Sequence, residues 1–341
     1  MPANLTPEYK AAQAAFRKAR DPRERLDWLR EMLRVIPKHK GTDHLQGDIK
    51  RRIKELSEEL ERPKKAGTRG GPPLVIRPEG AAQIALIGPP NAGKSSLHAR
   101  LTGSGAQAAP YPFTTQYPEP GMMPHEDTYF QLVDLPAVSP EHPVPWLASA
   151  LQTADACLLV VDLGDPACVE RVEAVHAILR ERRVTLTERW EPAGESGSAA
   201  AEGDEDPFAL RLPALLIANR ADRLADVDAE LRAFLALTGL RYPAVAVSAT
   251  TGQGLGEIGP LLFSHLGIVR VYTKAPGRPL DRDRPFTLRR GQTVDDVARL
   301  VHKDLARSLK YARVWGKSGF DGQHVGRDHP VADGDVIELH A

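Results

Sequence analysis

The feature that most constrains this chain is the segment from Gln83 to Leu97, which reads QIALIGPPNAGKSSL. It joins a mostly apolar strand to a helix-compatible stretch through the pattern G-x-x-x-x-G-K-[ST], which runs from Gly88 to Ser95. The backbone N–H groups of such a loop and those at the start of the next helix converge on one point, which suits phosphate. The sequence therefore predicts a nucleotide-binding loop between a strand and a helix.

Every residue of this loop is a candidate for contact with the nucleotide. The pattern places the Lys94 ammonium at the β- and γ-phosphates and makes the Ser95 hydroxyl a ligand of Mg²⁺. The predicted phosphate-binding residues are Gly88, Pro89, Pro90, Asn91, Ala92, Gly93, Lys94, Ser95 and Ser96.

Apolar strands alternate with helical segments after the loop. This alternation predicts an α/β fold with a doubly wound sheet, whose ligand lies at the carboxyl ends of the strands. Tyr129–Asp134 is expected to be an alternating strand, and Ala156–Asp162 a buried parallel strand that ends in a carboxylate. Further strands are predicted at Leu212–Ala218 and Ala244–Ser248, with helices at about 167–182 and 226–237.

Different patterns flank this region, and they predict three domains and a linker. Residues 1–66 read as helices, 67–80 as a Pro/Gly/Lys linker, 81–267 as the nucleotide domain and 268–341 as a small α+β module. The third N-terminal helix, 43–60, combines an apolar stripe (Leu45, Ile49, Ile53, Leu56, Leu60) with basic residues (Lys50, Arg51, Arg52, Lys54). Both a helix packed on its neighbour and a helix that contacts RNA fit this pattern. In the last module, Thr293 is predicted to cap a helix whose apolar face is Val297, Leu300, Val301 and Leu305.

The formal net charge of zero hides an uneven distribution. Residues 1–70 sum to +7, 71–267 to −11 and 268–341 to +4, so any polyanion is expected to meet the flanks. Residues 188–207 are acidic and of low complexity, which predicts a disordered insertion. Two cysteines form no disulfide framework, and the chain shows neither a signal peptide nor a membrane-spanning run, so a cytoplasmic protein is expected.

Two later motifs predict that the base is guanine. Asn219-Arg220-Ala-Asp222 directly follows a strand, where a carboxylate accepts hydrogen bonds from guanine N1–H and its exocyclic amine. Adenine offers neither donor, so a pocket built on Asp222 rejects it. Arg220 stands where the pattern N-K-x-D has Lys, and its planar guanidinium packs differently over a base. After the next strand, Ser248, Ala249 and Thr250 are predicted to present backbone N–H groups to guanine O6.

Two further residues complete the predicted metal site. Asp134 ends its strand and is expected to be an outer-sphere partner of Mg²⁺, while Thr115 supplies a second hydroxyl ligand beside Ser95. Thr114 is an alternative to Thr115. These two segments would be ordered by the γ-phosphate and relax on hydrolysis, so Lys94, Thr115 and Asp134 are the predicted catalytic residues.

Taken together, these motifs resemble the signature motifs of translation-factor-class GTPases. Phe113-Thr-Thr115 within YPFTT and Asp134-Leu-Pro136 resemble the Obg group. Lys38–Leu45, Ala312–Gly316 and Asp333–Val336 resemble the developmentally regulated GTP-binding proteins, whose last segment is a TGS domain of the β-grasp type. The resemblance implies a GTPase that associates with a ribosome or RNA through the N-terminal basic helix and the TGS domain, or with a protein partner, and neither with DNA nor with a membrane.

The chain departs from the family pattern at several positions. The expected D-x-P-G ends in Ala137, which predicts blunted switching, and Val138 stands where Ras-like enzymes place a water-orienting Gln, which predicts slow hydrolysis. Asn91 occupies a position where potassium-activated relatives coordinate K⁺, although it can instead satisfy loop backbone groups. Most of the family's insertion after Arg182 is missing, and only Val184–Thr187 hints at it.

Two functions are therefore weighed. The first is a slow Mg²⁺-dependent GTPase switch on a ribosome or RNA. The alternative, which Ala137 supports, is a guanine-nucleotide-binding adaptor that hydrolyses little or no GTP.

Overall fold

The computed structural model of the protein describes residues 6–19, 22–37, 42–61, 74–104, 115–190, 209–275, 277 and 285–341. Within this part of the chain, a compact N-terminal unit of helices is distinct from a larger unit that holds the β-sheets. Residues 67–73 of the predicted linker, Phe113 and Thr114, and residues 191–207 of the predicted insertion lie outside the described residues. The exact domain borders stay a prediction.

The N-terminal unit is built from α1 (Pro7–Lys18), α2 (Pro22–Val35) and α3 (Asp43–Glu61). At the start of α1, Thr6 is the N-cap, since its Oγ1 accepts a hydrogen bond from the Tyr9 N–H at 3.2 Å. Helix α3 contributes the buried Ile49 to the core of this unit. Half-buried residues of the predicted stripe pack beside it: Leu45, Ile53 and Leu56.

The larger unit contains the predicted doubly wound sheet. Its described strands are β1 (Ala82–Ile87), β2 (Glu119–His125), β3 (Thr128–Asp134), β4 (Ala156–Asp162), β5 (Val184–Thr187), β6 (Leu210–Asn219) and β7 (Ala244–Ala246). They lie in the order β2-β3-β1-β4-β6-β5, with β7 also paired to β6, and among them only β2 is antiparallel to its neighbour. Its helices are α4 (Lys94–Thr102), α5 (Leu147–Leu151), α6 (Cys168–Glu181), α7 (Val227–Thr238) and α8 (Leu255–His265).

The parallel register brings the carboxyl ends of the central strands together. Leu86 of β1 pairs with Asp134 of β3, and Asp162 of β4 pairs with Asn219 of β6. The loop after β1 therefore lies beside the polar residues that end β3, β4 and β6, which is where a ligand binds in such a sheet.

Two features of the sheet differ from the sequence-based expectation. Strand β2 was not predicted, because Pro120 and Pro124 interrupt it; proline is tolerated there since β2 is at the edge of the sheet. The alternation predicted for β3 is wrong: Tyr129 is 54% exposed, but the rest of the strand is buried. Leu132 belongs to the core that includes Leu97 of α4, and Val133 to the core that includes Leu147 of α5, so both faces of β3 are covered.

The C-terminal module has its own sheet. The described strands are β8 (Ile268–Lys274), β9 (Phe286–Arg289), β10 (Tyr311–Gly316), β11 (Gly319–Val325) and β12 (Asp335–His340), and the helices are α9 (Val294–Val301) and α10 (Lys303–Ser308). The strand order is β11-β10-β12-β8-β9, and β12 runs parallel to β8 whereas the other pairs are antiparallel. The predicted α+β module is confirmed.

The predicted apolar face of α9 is partly wrong. Thr293 forms a capping box with Asp296, as the sequence indicates. Leu300 and Val301 are 52% and 36% exposed, however, and the buried side chains are Val294, Val297 and Ala298. The helix ends at Val301 and the chain extends at His302, so Leu305 belongs to the next helix.

Of the predicted acidic insertion, the structure describes residues 188–190. Trp190 is half-buried, and its ring packs edge-on against His265 of α8, with centroids 5.2 Å apart. Residues 188–190 therefore belong to the described fold. Across the described residues, no helix has the length and apolar character to span a membrane.

Candidate nucleotide-binding site

The phosphate loop connects β1 to α4 in a conformation that depends on two glycines. Gly88 has φ 151° and Gly93 has φ 86°, and the latter directly precedes α4. A Cβ on Gly88 would collide with the carbonyl oxygen of Val160, and one on Gly93 with the side-chain amide of Asn219. The two glycines therefore allow the loop to lie directly against β4 and the end of β6.

Lys94 is buried beneath this loop. Its Nζ donates to the carbonyl oxygens of Gly88 at 3.3 Å and Pro89 at 3.2 Å. Burial lowers the pKa of Lys94 to about 8, although the nearby Asp134 carboxylate favours the charged form. The ammonium is thus held by the loop that it serves.

Three side chains from separate segments meet beside the loop. Ser95 Oγ donates to Asp134 Oδ2 at 2.6 Å, and Thr115 Oγ1 lies 3.0 Å from both Ser95 Oγ and Asp134 Oδ2. Asp134 is fully buried, and its second oxygen, Oδ1, has no hydrogen-bond partner among the described residues. A buried carboxylate oxygen without a partner is costly, so this cluster of oxygens is suited to a cation or its water.

Asn219 links the phosphate loop to the loop after β7. Its Nδ2 donates to the carbonyl oxygen of Ala92 at 3.0 Å, and its Oδ1 accepts from the Ala249 N–H at 3.2 Å. Asn219 is 2% exposed. The contact that the sequence predicts between this residue and the phosphate loop is therefore present.

Arg220 makes a contact that sequence reasoning missed. Its Nη1 forms an ion pair with Asp162 Oδ2, while Asp162 Oδ1 accepts from the Gly164 N–H at 3.0 Å. Arg220 has φ 62°, and Asp222 lies exposed in the 3₁₀ turn Ala221–Arg223 that follows. The signal for Asp162 was its position as the polar end of an apolar strand beside β6.

The loop after β7 directs its backbone donors mostly inwards. The Ser248 N–H donates to the Gln253 carbonyl at 3.0 Å and the Ala249 N–H to Asn219, whereas Ser248 Oγ accepts from the Thr251 N–H at 3.0 Å. Ser248 is fully buried and Thr250 is exposed. Two of the three predicted donors for guanine O6 are thus engaged within the protein.

The segment after Asp134 keeps close to the phosphate loop. Val138 is 3% exposed, and its N–H donates to the Gly88 carbonyl oxygen at 3.1 Å. Ala137 is buried and is absent from the residues with positive φ. An alanine fits this backbone without strain.

The remaining loop residues differ in exposure. Asn91 is exposed and has φ 61°, a conformation that Asn tolerates better than most residues. Pro89 and Ala92 are buried, whereas Pro90 and Ser96 are half-buried. The described residues contain no group of three or more His, Cys, Asp or Glu that could hold a metal ion.

Comparison with known proteins identifies both parts of the larger unit. Residues 83–189 match the family model described as "50S ribosome-binding GTPase", and residues 269–341 match the TGS domain. The protein is a P-loop GTPase with a C-terminal TGS domain, whose ligands are GTP and GDP.

Individual relatives extend the similarity along the chain. A GTP-binding protein of Halobacterium salinarum is 28% identical over 93% of this chain and 98% of the relative. Developmentally-regulated G-protein 2 of Arabidopsis thaliana is 28% identical over 93% of this chain and 90% of the relative. A solved GTP-binding protein from Pyrococcus horikoshii matches 76% of this chain and 99% of its own, with 18% identity and a TM-score of 0.49. The predicted resemblance to the developmentally regulated GTP-binding proteins is confirmed by a relative that matches 93% of this chain.

Proposed function

We propose that this GTPase is a slow, Mg²⁺-dependent switch that engages a ribosomal or RNA partner. The observation that carries the proposal is the meeting of Ser95, Thr115 and Asp134 beside the phosphate loop. Thr115 and Asp134 lie on different segments, so both can respond to the terminal phosphate of one nucleotide.

The oxygen atoms of this cluster fit Mg²⁺. This ion prefers oxygen ligands and retains several waters, and the unpartnered Asp134 Oδ1 is placed to accept a hydrogen bond from such a water. We assign Ser95 and Thr115 as metal ligands and Asp134 as the outer-sphere residue. When bound, Mg²⁺ would neutralise charge that develops on the β- and γ-phosphates.

The protein's own groups supply the rest of the chemistry. The N–H groups of the loop from Gly88 to Ser96 would donate to the phosphates, and Lys94 would add a positive charge near the leaving oxygen. Asp222 would accept two hydrogen bonds from guanine, while Asn219 holds the loops around the base together. Arg220, paired with Asp162, would flank the base.

Slow turnover is part of the proposal. Val138 has no group that could orient the attacking water, and its side chain is buried. The negative φ of Ala137 supports a backbone N–H that reaches the γ-phosphate, because the same orientation does not require glycine. Turnover would therefore be low but measurable.

We also propose that K⁺ stimulates hydrolysis through Asn91. The exposed side chain of this residue is free to point towards a cation beside the phosphates, where a fixed positive charge would act as an arginine finger does. The competing explanation is that Asn91 is present only because it tolerates φ 61°.

The alternative function is a guanine-nucleotide-binding adaptor without significant hydrolysis, favoured by the alanine at position 137. Steady-state phosphate release in K⁺ and in Na⁺ buffer separates the two, with Lys94→Ala as the matched control. We expect wild-type turnover above that of Lys94→Ala in both salts and a further rise in K⁺. Turnover equal to that of Lys94→Ala in both salts would reject the enzyme and leave the adaptor.

Replacing Asn91 with glycine tests the cation separately. Glycine adopts the same positive φ without a side chain, so Asn91→Gly preserves the loop and removes the proposed ligand. We expect loss of the K⁺ response with turnover in Na⁺ unchanged; a K⁺ response of normal size in Asn91→Gly would mean that Asn91 serves only the loop backbone.

The partner is proposed from the flanking parts. Lys50, Arg51 and Lys54 are exposed on α3, which supports an RNA-facing role for the helix. The family model that matches the GTPase domain is named for ribosome binding. We propose 1–66, 67–80, 81–267 and 268–341 as the helical region, linker, GTPase domain and TGS domain of such a switch.

A further inference from the structure

The hairpin of β2 and β3 connects the two segments of the GTPase that face the metal site. Thr115 precedes β2, and Asp134 ends β3 opposite Glu119. The hairpin turn, Glu126–Asp127, lies at the other end of seven paired residues, or about 20 Å away at the usual rise per residue.

Two residues on β8 of the TGS domain bind this turn. Arg270 forms ion pairs with Asp127, at 3.0 Å, and with Glu126, and the Tyr272 hydroxyl donates to Asp127. Asp333 of the TGS domain holds the same Arg270 side chain through Nε at 2.9 Å and Nη2 at 2.8 Å. The side chains of Arg270 and Asp127 are 18% and 28% exposed, so water screens their ion pair less than it would on an open surface.

Aromatic contacts at the same end of the hairpin add to the contacts of Arg270 and Tyr272. The His125 ring lies between those of Phe130 and Phe263, with centroids 5.9 and 5.5 Å apart, and the Arg270 guanidinium lies 5.0 Å from the Phe263 centroid. A Cβ on Gly259 of α8 would stand 2.6 Å from His125 Nδ1. The closed end of the hairpin is thus packed between α8 and β8.

Charge and conformation at the turn agree with this contact. Burial opposes ionisation of Asp127, but its hydrogen bonds with Tyr272 and Arg270 outweigh that effect and lower its pKa. Glu126 has φ 50°, a left-handed conformation that is unfavourable for a residue with a side chain. The Glu126–Arg270 ion pair helps to hold the turn in this conformation.

The two strands of the hairpin are not equally constrained. Strand β3 pairs with β1 on one side and β2 on the other, whereas β2 pairs only with β3 among the described strands. A shift of β2 along β3 would carry Thr115 away from Ser95 and Asp134. At the end opposite the metal site, β2 is held by the contacts of Arg270 and Tyr272 with the Glu126–Asp127 turn and by the packing of His125 against Phe263.

We propose that Arg270 and Tyr272 of the TGS domain are positioning residues for the GTPase centre, which act through Asp127 and β2 on Thr115. This inference rests on the proposed function. In the structure, the turn is bound by Arg270 and Tyr272, and Thr115 Oγ1 lies 3.0 Å from both Ser95 Oγ and Asp134 Oδ2. The binding of the turn therefore favours the arrangement suited to a γ-phosphate and Mg²⁺. The TGS domain and the terminal phosphate are then thermodynamically coupled, each favouring the other's contacts.

The test compares affinities for GDP and for a non-hydrolysable GTP analogue in full-length protein with Mg²⁺. Tyr272→Phe removes one hydroxyl whose described partner is Asp127, and Asp127→Asn keeps the shape of the turn while removing its charge. We expect each variant to weaken binding of the analogue ~5-fold or more relative to GDP, within the usual range of coupling between sites. The kcat for GTP should fall in parallel.

Arg289→Ala is the matched control. Arg289 of the TGS domain pairs with Asp155 of the GTPase domain at 3.1 Å, and Asp155 precedes β4 and accepts a hydrogen bond from the Gln83 N–H of β1 at 2.8 Å. Arg289→Ala should lower the thermal unfolding midpoint about as much as Tyr272→Phe and Asp127→Asn do. The ratio of the affinity for the GTP analogue to the affinity for GDP should stay at its wild-type value. An unchanged ratio in Tyr272→Phe and Asp127→Asn, or an equal change in Arg289→Ala, would overturn the proposal.

Failure of this positioning role and failure of the proposed function give different experimental results. If the protein is an adaptor, wild-type turnover itself is absent, whereas failure of the positioning role leaves wild-type turnover intact. The affinity ratio remains measurable in both cases.

Discussion

At the scale of the residue, burial lowers the pKa of Lys94, the lysine proposed to contact the phosphates. The folded protein without nucleotide holds its pKa at about 8, below the usual 10.5, because burial penalises the ammonium. A bound triphosphate would favour the charged form and raise this pKa again. Above pH 8, binding therefore requires uptake of a proton, and we expect nucleotide affinity to fall up to ~10-fold per pH unit towards pH 10.

Titration calorimetry in buffers of different ionisation enthalpy measures that proton uptake. Lys94→Arg is the control, since a guanidinium stays charged throughout this range; its affinity should show no such slope. An equal decline in wild type and Lys94→Arg would assign the pH dependence to another group.

At the scale of the element, α9 shows how a helix face is decided by the surface it packs on. Val297 is fully buried against the TGS sheet, whereas Leu300 is 52% exposed on the same helix. Truncation of a buried Val removes methyl groups from the core and leaves a cavity. We expect Val297→Ala to lower the free energy of unfolding by about 2 kcal/mol and Leu300→Ala by less than about 0.5 kcal/mol.

Denaturant unfolding monitored by circular dichroism provides both values. Both variants introduce alanine into the same helix, and the higher helix propensity of alanine offsets part of the loss, more for Val297→Ala than for Leu300→Ala. A larger loss for Leu300→Ala than for Val297→Ala would restore the apolar face that the sequence alone predicts.

At the scale of the whole molecule, basic flanks surround an acidic GTPase domain. Residues 1–70 and 268–341 carry net charges of +7 and +4, against −11 for 71–267. If α3 contacts RNA, each phosphate contact contributes to a linear fall of log affinity with log salt concentration. We expect ribosome co-sedimentation of the GTP-analogue complex to weaken steeply with salt, and Lys50→Ala with Arg51→Ala to reduce that slope.

The control for this experiment lies in the acidic domain. Arg232 and Arg241 are exposed there, and their replacement by Ala removes the same charge without touching α3. Sedimentation that is insensitive to salt would instead indicate recognition through protein contacts, and equal effects of the two double variants would exclude a specific role for α3. Comparison of GDP with the analogue shows whether the nucleotide controls binding.

Local patterns were enough to predict the phosphate loop, the residues that end β3 and β6, and the class of both sheets. Each of these depends on short-range features: a G-x-x-x-x-G-K-[ST] segment, a strand of buried residues, or a polar residue directly after it. Such patterns do not predict strand β2, because an edge strand tolerates proline. They do not predict the buried face of α9 either, because that face depends on the element it packs against.

The sequence by itself predicted a site for a guanine nucleotide, since Gly88–Ser95, Asn219 and Asp222 are the residue types, in the order along the chain, that such a site needs. Only the tertiary structure decided how these parts are held together. The ion pair of Arg220 with Asp162 joins residues 58 positions apart, and the ion pair of Arg270 with Asp127 joins residues 143 positions apart. Pairings at such separations are set by the register of the strands and the packing of domains, which no local pattern encodes.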